Sequence, residues 1–156
     1  MPRLDRLPEI NRKNLLMLPV PVNESTPFAR PARPLAASRL AIVTTAGVHR
    51  RSDRAFGPGD QSYRVIPSDT PTADIVQSHT SIGFDRVPTM QDLNISFPID
   101  RLRELVARGE LGALAPNNYS FMGAQRDTVR LEAETGPEVG RRLRTEGVEL
   151  ALVTPT

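Results

Sequence analysis

Three features of this 156-residue sequence predict an α/β domain with a mostly parallel sheet and flanking helices, incomplete as a doubly wound fold. The run Leu150-Ala151-Leu152-Val153 follows Gly147, a residue suited to closing a helix, and so reads as a buried strand entered from that helix. Leu40-Ala41-Ile42-Val43-Thr44-Thr45 is a second such run, ending in β-branched residues and stopped by Ala46-Gly47. Between them, two stretches carry helical signals. In open sheets of this kind chemistry sits just beyond the carboxyl ends of the strands, which directs attention to the loops there, above all the one after Thr156.

Taken in order, residues 1–18 place Leu4, Leu7, Ile10, Leu15 and Leu18 loosely on one side, interrupted by Pro8, and predict a short amphipathic helix packing as an arm. Prolines 19, 21, 27, 31 and 34 deny the next segment regular hydrogen bonding and predict an extended strap. Residues 1–38 are therefore read as arm and strap, and residues 39–156 as the N-terminal part of the α/β domain. The first strand covers 39–45, with His49 just past its carboxyl end. A polar loop with the turn Gly57-Pro58-Gly59 leads to a second strand at 63–66, ended by Pro67, and 74–79 is a weaker strand. Pro98 opens a helix in which Ile99, Leu102, Leu105 and Val106 share a face. Glu104 and Arg108 are spaced to pair across one turn of it, and Gly109 stops it. Residues 111–115 suggest another short strand. The donor-rich stretch 117–123 reads equally as a binding loop or an ordinary turn. A second helix spans about 128–146, opened or kinked by Pro137, with Arg141, Arg142 and Arg144 near its carboxyl end where positive charge suits the helix dipole.

Composition narrows the function classes. Twenty Lys and Arg against 18 Asp and Glu leave a formal charge of only +2, and the arginines are spread among acids, so no nucleic-acid footprint is expected. The absence of cysteine excludes disulfides and thiolate zinc sites within these residues and suits a reducing compartment. No stretch approaches the roughly 18 apolar residues of a membrane span, and the N-terminus lacks a secretory core, so a cytoplasmic protein is expected. Neither a Gly-x-Gly-x-x-Gly pattern nor a Walker-type phosphate loop is present, so a nucleotide cofactor has no support.

The polar candidates stand where strands hand over to loops: His49, His79, Asp85 and Asp92. Imidazole titrates near neutral pH and a neighbouring carboxylate can fix its tautomer, so these four are read as general acid/base or substrate-positioning groups. A metal set of His49, His79 and Asp85 is conceivable by ligand type but matches no metal motif, and no metal site is expected.

Several stretches together resemble the selenoprotein B family, the substrate-specific subunits of glycine, sarcosine, betaine and D-proline reductases. They are Ala41-Ile42-Val43-Thr44-Thr45-Ala46-Gly47-Val48-His49, Ser62-Tyr63-Arg64-Val65-Ile66-Pro67, Ser78-His79 with Phe84-Asp85, Gln91-Asp92-Leu93-Asn94, Phe97-Pro98-Ile99-Asp100-Arg101-Leu102 and Tyr119-Ser120-Phe121-Met122-Gly123. The resemblance covers roughly residues 39–156 in the family's order. It implies an oxidoreductase that reductively cleaves a carbon–nitrogen bond α to a carboxylate, with His49, His79, Asp85 and Asp92 around a pocket for a small amino acid or amine. Asn94, Tyr119 and Ser120 join them as substrate-binding candidates. In the family, sequence similar to residues 148–155 leads directly into a selenocysteine, or a cysteine, followed closely by a second cysteine. The resemblance thus implies a selenocysteine immediately after Thr156, encoded by UGA, with the open frame continuing beyond it; a selenol ionises well below a thiol and serves as the nucleophile. No cofactor is expected in this chain itself; a pyruvoyl group is implied on a partner subunit, other reductase subunits are implied as partners, and a homo-oligomer is compatible. Activity is expected of a chain that continues past Thr156. The rival readings are a non-catalytic binding or accessory protein derived from that family and a metal-assisted hydrolase.

Overall fold

The computed structural model describes residues 3–17, 22, 24–26, 29–81 and 83–155. The chain divides into two compact units, Met1–Arg30 and Pro31–Thr156. In the first, a single 3-10 turn, Leu4–Arg6, precedes α1, Glu9–Leu16. Pro8 caps α1 instead of interrupting a longer helix, because a proline at a helix start gives up a donor that has no partner there. None of the side chains of α1 is buried. Leu18 and much of the expected strap, including Pro19, Pro21 and Pro27, lie outside the described residues.

The second unit is built on a five-stranded sheet. Its members are β1 (Arg39–Thr44), β3 (Tyr63–Pro67), β5 (Ala113–Leu114), β6 (Asn117–Phe121) and β7 (Leu150–Thr154); β2 (Val48–Arg50) and β4 (Ile75–Gln77) pair separately. β1 is the central strand. β7 runs parallel along one of its edges from Leu40 to Thr44, while β5 and then β6 run parallel along the other. β3 closes the far side of β6 antiparallel. The sheet is thus mostly parallel with one antiparallel edge, as the sequence predicts.

Helices cover both faces, as parallel strands require. α2 (Val87–Gln91) and α3 (Ile99–Ala107) precede β5, and α4 (Gly136–Thr145) lies between β6 and β7. Alternation along β1 separates two cores. Leu40 and Ile42 join Ile66, Phe97, Ile99 and Leu102 on the α3 side, with Leu150 and Leu152 packed against them. Val43 points the other way, toward Tyr119, Phe121 and Val139, with Leu143 of α4 beside them.

Several expectations are corrected here. Residues 117–121 form a strand, not a loop, and β6 is among the most buried strands of the sheet. Of its polar side chains, those of Asn117, Asn118 and Tyr119 are hydrogen-bonded. Asn118, fully buried, accepts from the Ile42 backbone N–H at 2.8 Å and donates to Ser68 Oγ at 2.8 Å and to the Ile66 carbonyl at 3.3 Å. The amide fills a defect: between the pairs Leu40–Leu114 and Val43–Tyr119, two residues of β1 face four of the neighbouring strand, and Asn118 serves the donor this bulge would orphan. His49 lies within β2, opposite Val76 of β4, where a loop was expected. β4 itself stays out of the main sheet. The expected helix over 128–146 starts at 129 and passes through one wide π turn, Leu131–Thr135, before α4. Pro137 lacks the N–H that would close a normal turn there, and the helix widens. Finally, Glu104 pairs with Arg101 at 2.9 Å and Arg108 with Glu110 at 2.6 Å, not with each other.

Candidate functional site

The outgoing connections of β1 and β6 place helices on opposite faces: the chain after β1 supplies α3 to one, and the chain after β6 supplies α4 to the other. Adjacent parallel strands that part in this way leave a crevice at their carboxyl ends, the place where open α/β sheets bind ligands. Two kinds of buried polar side chain are notable around this end of the sheet.

One is a row of hydroxyls. Ser120, Thr44 and Thr154 occupy paired positions on three neighbouring parallel strands, so all three stand on the same face of the sheet. Thr154 Oγ1 donates to the Ser96 carbonyl at 2.8 Å, and Thr44 Oγ1 lies 3.2 Å from the same oxygen while accepting from the Ala46 N–H at 3.1 Å. Thr89 Oγ1 of α2 donates to Ser96 Oγ at 3.2 Å. Ser120 Oγ is buried and has no hydrogen-bond partner among the described residues.

The other is His79, which follows β4 and is only 1% exposed. Gly47 places it. The Gly47 N–H donates to the Phe121 carbonyl at the end of β6, and its carbonyl accepts from the Ser78 N–H, both at 3.0 Å. Gly47 has φ +65°, and a Cβ there would lie 3.2 Å from both the backbone N and the Cα of His79. The close approach and the left-handed conformation each demand glycine. The His79 ring packs against Phe84 with centroids 4.3 Å apart. Its Nδ1 accepts from the Ser81 N–H at 3.3 Å, which assigns the ring proton to Nε2, a buried donor with no partner among the described residues. Burial, and then the nearby Arg86 guanidinium, push the His79 pKa below the ordinary histidine value, so the ring is neutral at neutral pH.

The other sequence candidates lie elsewhere on the rim or behind it. His49 is buried in β2, its Nδ1 2.8 Å from the Arg50 carbonyl and its ring edge-on to Phe56. Asp85 is exposed and accepts from the Val87 N–H at 3.0 Å, serving the start of α2. Asp92 accepts from the Asn94 backbone N–H at 2.9 Å, and this bond with that of the Asn94 side chain holds its carboxyl below the usual range. Asn94 also accepts from the Asp100 N–H at 3.0 Å, tying the turn to the start of α3. Tyr119 points into the α4 side, fully buried, with its hydroxyl donating to Glu146 Oε1 at 2.7 Å. Burial and that carboxylate push the phenol above the ordinary tyrosine range. Ser120 is on the opposite side of the same strand. Among the described residues no group of three His, Asp or Glu is placed to hold a metal ion, so the set the metal-hydrolase reading needs is not assembled.

A cavity of about 610 Å³ opens at the same end, lined by Gly59 and Gln61, by Thr80 and Ser81 directly after His79, and by Met122 and residues 124–127 directly after β6. Ala124 holds φ 54°, a left-handed conformation that costs a non-glycine residue on the order of 1 kcal/mol or more. Gln125 locks the turn by donating to the Asp60 carbonyl at 2.8 Å and the Met122 carbonyl at 3.1 Å. Sequence reasoning missed residues 124–127, which belong to no motif, and the hydroxyls of Thr44, Ser96 and Thr154, whose alignment depends on register. Gly47 was legible as a stop, not as the seat of His79.

The model of the family described as glycine/sarcosine/betaine reductase selenoprotein B (GRDB) matches residues 10–156. A D-proline reductase subunit gamma from Acetoanaerobium sticklandii is 40% identical over 136 residues, which cover 86% of this chain and 55% of that protein. A glycine reductase complex component B subunit gamma from Carboxydothermus hydrogenoformans is 26% identical over 148 residues, 89% of this chain and 33% of the relative. A sarcosine reductase complex component B subunit beta from Peptoclostridium acidaminophilum is 26% identical over 142 residues, 88% of this chain and 32% of the relative. The chain thus spans between a third and about half of the length of the curated relatives it matches. No solved structure matches it. With the family model matched over nearly its whole length, the chain belongs to the glycine/sarcosine/betaine reductase selenoprotein B family.

Proposed function

We propose that these residues form the N-terminal half of a substrate-specific reductase component that cleaves the carbon–nitrogen bond of a small amino acid, with D-proline the favoured substrate among D-proline, glycine, sarcosine and betaine. The observation that carries this reading is the 40% identity over 136 residues to a D-proline reductase subunit, against 26% for the glycine and sarcosine reductase relatives. Cleavage of a C–N bond takes up two electrons and two protons, leaving C–H and N–H. The reacting selenium, or a sulfur in its place, belongs to a residue directly following Thr156, as the family resemblance implies. A partner subunit carries the pyruvoyl group, and the components assemble in the cytoplasm.

The role of the present residues in this reading is to shape and dry the site. His79 offers a buried, unpaired Nε2–H to a developing negative charge, and the bonded hydroxyls of Thr44 and Thr154 fix the carboxyl ends of β1 and β7. No helix among the described residues is long and apolar enough to cross a membrane.

The test is direct. The full-length component, expressed with selenocysteine or cysteine after Thr156 and combined with its partner subunit and a dithiol, is assayed for ring opening of D-proline and for amine release from the other three compounds. Ring opening that exceeds turnover of the others supports the reading. Absence of C–N cleavage in all four refutes it, and a codon other than UGA or a cysteine codon after Thr156 refutes the assignment of the nucleophile.

A further inference from the structure

Arg126 stands out among the charged residues of the carboxyl-end rim. It is exposed, lines the cavity beside Thr80, Ser81 and Met122, and makes no ion pair or hydrogen bond among the described residues. Arg86, near His79, is likewise unpaired among the described residues but lines a separate cavity, whereas two arginines of neighbouring segments are engaged. Arg64 is bonded to Asp60 at 3.0 Å and stacks 4.2 Å above Phe56, and Arg130 pairs with Glu134 at 3.0 Å. The turn that presents Arg126 is held in a strained form: Ala124 has φ 54°, and the Gln125 side chain is tied to two carbonyls. A strained turn that presents an unpaired cation to a cavity points to a ligand for that cation.

The neighbouring charge narrows the ligand. Asp127 lines the same cavity; its Oδ1 accepts from the Val129 N–H at 2.9 Å, while Oδ2 has no partner among the described residues. A multiply charged anion would be repelled by this carboxylate. A small zwitterion is complementary to both residues, with its carboxylate on the guanidinium and its cationic nitrogen on the aspartate. Resting on the reductase reading above, we propose that Arg126 is the carboxylate-recognition residue of the substrate site and Asp127 the counter-charge to the substrate nitrogen. The cavity adjoins the segment carrying His79, so a substrate anchored there lies at the carboxyl ends of β6 and β1.

Binding of D-proline, glycine, sarcosine, betaine and D-prolinamide to the full-length component is measured by isothermal titration, for the wild type and for Arg126→Gln, Arg126→Lys and Arg130→Gln. The proposal expects at least one of the four acids to bind the wild type and to bind Arg126→Gln about tenfold or more weakly, since a charge-assisted bidentate contact is lost. Arg126→Lys recovers part of the loss, and Arg130→Gln matches the wild type. D-Prolinamide, which lacks the carboxylate, binds weakly to the wild type and with no further loss to Arg126→Gln. An unchanged affinity of Arg126→Gln for the acids, or no binding of any acid to the wild type, overturns the subsite. These results separate from the reductase reading. Arginine-dependent binding without C–N cleavage removes the reductase function and leaves the subsite, while cleavage with an unchanged KM in Arg126→Gln removes the subsite and leaves the function.

Discussion

Replacing Gly47 by alanine separates two demands that the structure makes on one residue. The first is conformational: a left-handed φ of +65° costs an alanine about 1–2 kcal/mol. The second is steric: the added Cβ meets the backbone N and Cα of His79 at 3.2 Å, and rigid backbone must move by a few tenths of an ångström, for on the order of 1 kcal/mol more. Against these stands a gain of roughly 0.4–1 kcal/mol from the stiffer unfolded chain. The net expectation is a loss of about 2 kcal/mol. Gly59 supplies the control, with φ +69° and nothing within 4 Å of an added Cβ, so Gly59→Ala carries only the conformational demand, about 0.5–1 kcal/mol net. Gly140, within α4 and also in open space, should gain about 0.5–1 kcal/mol as alanine. Urea unfolding of the three variants against wild type reads the differences as shifts in midpoint. Equal losses for Gly47→Ala and Gly59→Ala would refute the close approach to His79, and a neutral Gly47→Ala would refute the left-handed turn as well.

Three further outcomes are expected. Asn118→Ala removes the acceptor of the buried Ile42 N–H and should lower stability by about 2–3 kcal/mol, whereas loss of under 1 kcal/mol in urea unfolding would show that the bulge is served otherwise. Tyr119→Phe should cost about 1–3 kcal/mol by leaving Glu146 Oε1 with only the Asn117 amide, and a spectrophotometric titration should show both wild-type tyrosines, Tyr63 and Tyr119, ionising above the ordinary range and only one such transition in the variant. His79 has a folded pKa below its unfolded value, so the unfolded state binds the extra proton first. Stability should therefore be fully present above about pH 6.5 and decline as the pH falls through that value toward the lower folded pKa. Urea midpoints between pH 5 and 8 should show this slope in wild type and lose it in His79→Gln, and a His79 resonance, identified by its absence from His79→Gln, that titrates at or above the ordinary value would contradict it.

The frame of the fold was legible wherever local pattern and tertiary role agree. β1 and β7 are apolar runs punctuated by glycine, and α3 carries its core residues at helical spacing, so burial and periodicity point the same way. β6 was not legible because Asn117, Asn118 and Ser120 have turn-forming side chains, and only the bulge beside Ile42 makes a buried asparagine favourable in a strand. The carboxylates show the same limit from the other side. Asp85 and Asp92 each accept the backbone N–H two residues on, the local bond by which aspartate opens a helical turn, and their spacing before Val87 and Asn94 carries that signal as readily as a catalytic one. His79 was found by its position after a strand. Its tautomer follows from a local bond donated by the Ser81 N–H, but its dependence on Gly47 arises from a contact between segments about thirty residues apart, which no local pattern encodes.

The bulge opposite β1 has an arithmetic side. Four residues stand where two would continue the ladder, and the excess is therefore even. Side chains in a strand alternate with period two, so an even excess restores the phase: Leu114 before the interruption and Ser120 after it keep to one face, as do Leu40 and Thr44 beside them. An excess of one residue would have exchanged the faces beyond the bulge, carrying the Tyr119 ring to the α3 side and the Ser120 hydroxyl to the α4 side. Length changes in this segment are thus filtered by parity. Homologous chains should lose or gain residues here in pairs, and a single-residue deletion between Leu114 and Asn118 should be more damaging than removal of two.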